Sequence, residues 1–324
     1  MKNKVFFPYG ISNFEKLSVN NYVFVDKTNY IEKLEGLEFN YVSFLRPRRF
    51  GKSLWLSILE YYYDINQKHK FEKLFGKYYI GQNPTPLRSS YRILKFDFSG
   101  IDTSTKESTK QGFNEKVRLC VEVFCIYYKL FQENTLQQIV SKIDAEEIMD
   151  NFIQHYLKSC NDIPIYILFD EYDHFTNDIL YRDKEEFLES VSKQGYVRKF
   201  YEVIKSATQS GVVDRVFITG VTPVTLDALT SGFNILKHLS NNLTYESMMG
   251  FTEQEVRDLL RLVLENPDRE EEVMQEMREW YNGYRFSVRS QQNIYNSDMV
   301  LYYLDHFKRL PNSPLPNVRR QYCT

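Results

Sequence analysis

Four short runs that are apolar on both faces, or nearly so, punctuate the chain: Tyr41–Leu45, Ile93–Phe98, Ile165–Phe169 and Val216–Thr219. A half-exposed strand alternates apolar and polar residues, whereas runs of this kind read as parallel strands covered by helices on both sides. Longer stretches with helical spacing lie between them. After Gly51, residues Leu54, Ile58, Tyr61 and Tyr62 predict a helix. Residues 185–209 predict another, carried by Val191, Phe200, Val203 and Ile204 and stopped near Gly211. Residues 104–160 predict a long helical region with breaks near Thr135 and Asp144. Strands alternating with helices predict an α/β domain with a mostly parallel sheet flanked by helices.

The pattern changes after Gly250. Thr252 and Glu255 have the spacing of a capping box, and Val256, Leu259, Leu260 and Val263 follow on one helical face. Pro267 is expected to end that helix. A second helix is expected from about Asp268 to Trp280 and a third near Asp298–Phe307, so the chain reads as all-helical from about residue 251. The last residues, from Leu310, contain three prolines and read as extended or disordered.

Composition narrows the classes. With 324 residues there is room for one large domain or two ordinary ones. A hydrophobic share of 43% with only 13 Gly and 10 Pro excludes disordered, collagen-like and mucin-like chains. The formal charge of −2 hides an asymmetry. Residues 1–100 carry 16 Lys/Arg against 9 Asp/Glu, a net +7, and the remainder carries 25 against 34, a net −9. A basic third suits phosphates, of a nucleotide or a nucleic acid, or is a solvated surface. Cys120, Cys125, Cys160 and Cys323 form no CxxC pair and have no nearby His at ligand spacing, so reduced thiols are expected. Pro8, Asn13 and Glu15 interrupt the N-terminus, which is not a signal peptide, and no run approaches a membrane span. A soluble, cytoplasmic protein is expected.

The strongest chemical feature is Arg46-Pro47-Arg48-Arg49-Phe50-Gly51-Lys52-Ser53, set between an apolar strand and a helix. That is the context of a phosphate-binding loop, where backbone N–H groups at a helix start face the phosphates. Gly51 permits close approach, Lys52 reaches the β/γ-phosphates and the Ser53 hydroxyl ligates Mg²⁺. The candidate binding residues are Arg46, Arg48, Arg49, Phe50, Gly51, Lys52, Ser53 and Leu54. Arg46 stands where the general pattern has its first Gly, and Pro47 removes one N–H donor. The second feature is the run Ile165–Phe169, which delivers Asp170 and Glu171 at its C-terminal end, the edge at which open α/β sheets bind ligands. Asp170 would hold Mg²⁺, and Glu171 would activate the attacking water. Thr219, ending the next strand, is a candidate sensor of the γ-phosphate. Together these residues favour a P-loop ATPase.

The sequence resembles the AAA-ATPase-like family often fused to a PD-(D/E)XK nuclease domain. The resemblance is carried by Gly10–Leu17, Val25-Asp26-Lys27-Thr28, Phe44–Leu54, Phe96–Ser99, Asp170-Glu171-Tyr172-Asp173, Phe217–Val221, Gly250-Phe251-Thr252 and Trp280–Phe286. It implies a P-loop NTPase fold of the additional-strand class followed by a helical lid, with ATP and Mg²⁺ as ligands. It also implies that the missing first Gly is a family trait. On this reading residues 1–250 form the ATPase domain, 251–309 the lid and 310–324 the tail. The chain departs from the family pattern at Tyr295-Asn296-Ser297-Asp298, where a Pro is expected after Asn. About 24 residues after Val300 cannot hold a nuclease core of on the order of 100 residues, so a stand-alone ATPase or a truncated chain is expected.

The expected function is Mg-dependent binding and hydrolysis of ATP at its β–γ phosphoanhydride, as a switch coupled to a protein partner that the sequence does not identify. The alternatives are a nucleotide-binding module with little turnover and an ATPase component of a nucleic-acid-processing system. Self-association and nucleic-acid contact stay open, as does the choice of Arg48, Arg49, Arg285 or a second subunit's arginine for the transition-state charge.

Overall fold

The computed structural model describes residues 5–309. Helices α1 (Phe14–Val19) and α2 (Asn29–Glu35) precede strand β1 (Tyr41–Leu45). Helices α3 (Lys52–Tyr63), α4 (Phe71–Phe75) and α5 (Tyr79–Gln82) lead to β2 (Arg92–Asp97). Next come α6 (Lys106–Tyr128), α7 (Glu133–Val140), α8 (Ala145–Ser159) and β3 (Ile165–Asp170). Helices α9 (His174–Arg182), α10 (Lys184–Val191) and α11 (Tyr196–Gln209) precede β4 (Val213–Gly220). Helix α12 (Val224–Leu229) and a two-residue β5 (Lys237–His238) complete the sheet region. The C-terminal part holds α13 (Glu253–Arg261), α14 (Glu270–Tyr281), β6 (Asn282–Tyr284), β7 (Ile294–Tyr295) and α15 (Ser297–Arg309).

The five-stranded sheet is parallel throughout, in the order β2-β3-β4-β1-β5. Strand β4 lies between β1 and β3, as expected of a fold of the additional-strand class. Alternation along each strand explains why these runs are apolar on both faces. Ile165, Ile167 and Phe169 join one core with residues of α6–α12. Tyr166 and Leu168 join a second core with α1–α5, in which α3 buries Trp55, Leu56, Ile58 and Leu59. Each such side chain contributes roughly 1.5–3 kcal/mol by leaving water. A third core joins α13, α14 and α15 and also takes in Phe7.

The structure corrects several sequence expectations. The helix expected over 185–209 is two helices, α10 and α11, separated by a turn at Ser192–Gly195. A Cβ on Gly195 would stand 2.1 Å from the Ser190 carbonyl oxygen, so this turn requires glycine. The break expected near Thr135 lies earlier, where Lys129 closes α6 in the left-handed conformation. The Thr252–Glu255 capping box forms as expected. However, α13 ends at Arg261, and Pro267 opens a short 3₁₀ turn instead of terminating the helix. The C-terminal part is not all-helical: β6 and β7 pair antiparallel, Asn282 against Tyr295 and Tyr284 against Ile294. Strand β5 is too short to leave a periodic signal. The tail 310–324 lies outside the described residues.

Candidate phosphate-loop site

Residues 46–51 connect β1 to α3 at the C-terminal edge of the sheet. Two residues of this connection have left-handed backbone, Arg49 at φ 70° and Gly51 at φ 88°. Gly51 adopts that conformation without the Cβ clash that other residues meet. The turn places Lys52 at the first position of α3. Lys52 is buried, 5% exposed as a residue, and its ammonium donates to the Pro47 carbonyl at 3.1 Å. Burial pushes the Lys52 ammonium below its ordinary pKa, while the nearby carboxylates of Glu171, Asp170 and Asp173 push it back up. The loop therefore holds a desolvated cation facing three acids.

Asp170 ends β3 with its carboxyl buried, and its Oδ1 accepts the Glu171 backbone N–H at 3.1 Å. Burial raises the Asp170 pKa, and a hydrogen bond with Ser53 opposes the shift. Ser53 and Asp170 are thus neighbours, although they are 117 positions apart in the sequence. Glu171 has left-handed backbone, φ 46°, which is uncommon for a residue with a long side chain. The His174 N–H donates to the Glu171 carbonyl at 3.1 Å and closes the turn.

Lys52, Ser53 and Glu171 line one cavity of about 340 Å³, together with Arg49–Gly51 and Leu54. That volume is in the range of small-ligand sites. The far walls come from the N-terminal segment (Pro8, Ile11, Val23–Val25, Lys27) and from the C-terminal helices (Leu259, Leu301), and are mostly apolar. Trp55 also lines the cavity, and its buried indole N–H has no hydrogen-bond partner among the described residues. Lys27 donates to Glu255 at 2.5 Å, joining the N-terminal wall to the capping box of α13.

The sequence-predicted residues do not all converge. Arg48 is exposed and is not part of the cavity wall. Arg46 is 1% exposed. Its guanidinium donates to the carbonyls of Leu45, Ser240 and Glu246 at 2.9–3.1 Å, and lies 4.0 Å from the Phe44 ring centre and 3.7 Å from that of Phe286. It fastens β1 to the chain beyond β5 and to the segment after β6. Phe50 is likewise buried, edge-on to Tyr284 and Phe286. The Thr219 hydroxyl is fully buried and donates to the Phe44 carbonyl at 3.0 Å, an interstrand bond to β1.

Sequence reasoning missed Asp173. This buried carboxylate accepts from the backbone N–H groups of Val221 and Thr222, from the Thr222 hydroxyl and from the Asn177 amide at 2.6–3.1 Å. It ties the turn carrying Glu171 to the loop after β4. The quoted run Asp170–Asp173 contained it, but nothing in a sequence distinguishes a buried acid from a solvated one in such a loop.

Against known protein families, the model described as "Predicted AAA-ATPase" matches residues 8–230. The chain belongs to this AAA-ATPase-like family. The phosphate loop, Asp170, Glu171 and most of the sheet lie inside the match. An uncharacterised protein in the vnfD 5′ region of Azotobacter chroococcum mcd 1 is 26% identical over 291 residues, covering 89% of this chain and 50% of the relative. The chain thus spans about half the length of that curated relative. No solved structure matches the chain. Among the described residues, no helix of this family member is long and apolar enough to cross a membrane.

Proposed function

We propose that this member of the AAA-ATPase-like family binds ATP with Mg²⁺ at the phosphate loop and hydrolyses the β–γ phosphoanhydride, as a switch for a partner process. The observation that carries the reading is the single cavity that gathers Lys52, Ser53 and Glu171 at the C-terminal edge of a parallel sheet. Backbone N–H groups at the start of α3 and the Lys52 ammonium bind the phosphates. Glu171 orients a water, takes its proton as it attacks the γ-phosphorus, and ADP leaves with the bridging oxygen. The mostly apolar far wall suits the base, with the Trp55 N–H as a donor to one of its ring nitrogens.

Among the described residues no cluster of three or more His, Cys, Asp or Glu could cage a metal. That fits Mg²⁺, which takes most of its oxygens from phosphates and water and needs only one or two protein groups. Ser53 and Asp170, already neighbours, would hold it. When bound, the ion neutralises phosphate charge. Arg46 and Thr219 serve as positioning residues that hold β1 and β4 in place. We read residues 1–250 as the ATPase domain and 251–309 as its lid.

Nucleotide titration followed by Trp55 fluorescence, combined with phosphate release, tests this reading. Lys52→Ala is expected to weaken ATP binding at least about tenfold through loss of charge-assisted phosphate bonds. Glu171→Gln should retain binding and lose turnover by about 10²–10⁴-fold. Wild-type turnover no faster than that of either variant would overturn hydrolysis, and ATP binding without turnover would leave a nucleotide-binding module.

A further inference from the structure

The phosphate loop is held by the start of α15. The Arg48 carbonyl accepts from the Asn296 amide at 3.1 Å, and the Arg49 carbonyl from the Ser297 hydroxyl at 3.1 Å and the Asp298 N–H at 3.3 Å. The Phe50 carbonyl accepts the Gly250 N–H at 3.2 Å, at the entry to the C-terminal helices. Two consecutive carbonyls of the loop are therefore bonded to the start of α15, and the third to the residue that precedes the C-terminal part. The Arg49 side chain completes the junction with an ion pair to Asp298, Nη1 to Oδ2 at 3.0 Å. Arg49 and Asp298 both line the cavity that contains Lys52, Ser53 and Glu171.

Arg49 thus pairs with the Asp298 carboxylate inside the same cavity as Lys52, the residue read above as binding phosphate. A guanidinium binds phosphate through paired N–H donors, and a γ-phosphate carries more charge than a carboxylate. We propose that Arg49 leaves Asp298 to contact the γ-phosphate of ATP, so that the Arg49–Asp298 pair forms a lock between the phosphate loop and the C-terminal helices that opens with ATP and stays closed with ADP. The proposal rests on the reading of the loop as an ATP site. It makes Arg49 the cation that answers the charge of the transferred phosphoryl group, and Asp298 the residue that holds it until ATP arrives.

The test is to measure ATP and ADP dissociation constants side by side, in the Glu171→Gln background so that ATP persists. Arg49→Ala should weaken ATP at least about tenfold, the range of a charge-assisted pair, and ADP much less. Asp298→Ala should tighten ATP several-fold, because no ion pair has to break, and leave ADP unchanged. The same substitution in an Arg49→Ala protein should do nothing. Arg49→Lys keeps the charge but not the paired donors, so an intermediate ATP affinity is expected. It carries the test if Arg49→Ala does not fold. Equal effects on ATP and ADP, or no effect of Asp298→Ala, would overturn the lock. Lys52→Ala in the same background separates the two failures. If it abolishes binding of both nucleotides while Arg49 does not discriminate them, only the lock falls. If it changes neither affinity, or if the parent binds neither nucleotide, the ATP site falls and the lock with it.

Discussion

At the scale of single residues, the candidate site carries a cost in stability. The Asp170 carboxyl is buried and its pKa is raised. In the window above the ordinary carboxylate value, the folded protein still holds a proton that the unfolded chain has released. Ionised Asp170 therefore lowers stability at neutral pH, and the loss is recovered as the pH falls through the folded value. Asp170→Asn is expected to be more stable than wild type at pH 7 by on the order of 1 kcal/mol. Thermal melts across pH should show the gain shrinking on acidification, and a gain that does not vary with pH would contradict this account. The cysteines behave oppositely to reactive thiols: burial pushes Cys120 up to about 11 and Cys125 up to about 12. These two and Cys160 are free thiols, as their spacing predicts, and Cys323 lies outside the described residues.

At the scale of elements, positions of unusual backbone decide where helices end. Lys129 closes α6 at φ 53°, its N–H shared between the carbonyls of Cys125 and Ile126. A lysine in that conformation is strained, and glycine is not. Lys129→Gly is expected to stabilise the protein by about 0.5–1 kcal/mol, read as a higher denaturant midpoint at unchanged slope. Residues 251–280 carry ten Asp/Glu against four Arg, and the packing of their helices gives that charge a structural reason. Arg257 and Arg278 bridge Glu253 of α13 to Glu271 of α14, so much of that charge is spent holding two helices together.

At the scale of the whole molecule, the cavity is a junction of three distant parts of the chain. The loop supplies its floor, and the N-terminal segment and the C-terminal helices supply its walls. The Lys27–Glu255 pair crosses the two walls with the Lys27 ammonium largely removed from water. Glu255→Ala would leave that cation uncompensated and remove one half of the Thr252 capping box. A loss of about 3–5 kcal/mol is expected, measured by chemical denaturation, with a much smaller loss in the Lys27→Met Glu255→Ala double variant. Equal losses in both proteins would show that the pair itself matters little.

Local order along the chain made much of this legible. Apolar runs flanked by helices specify covered parallel strands whatever the partner, because both faces of each strand must leave water. A loop that turns from strand to helix through Gly51-Lys52-Ser53 is legible as a candidate phosphate site, because the helix start and the ammonium are fixed by neighbouring residues. Only the tertiary structure could decide the rest. It turned the Arg46 guanidinium inward between two rings and engaged Thr219 with β1. It also set Asp173 beneath two loops and brought Asp298 to Arg49 across 249 positions. Whether a polar side chain faces a ligand or a buried carbonyl depends on neighbours that are remote in sequence. Period and spacing therefore fixed the strands and the loop, and packing assigned each polar group its partner.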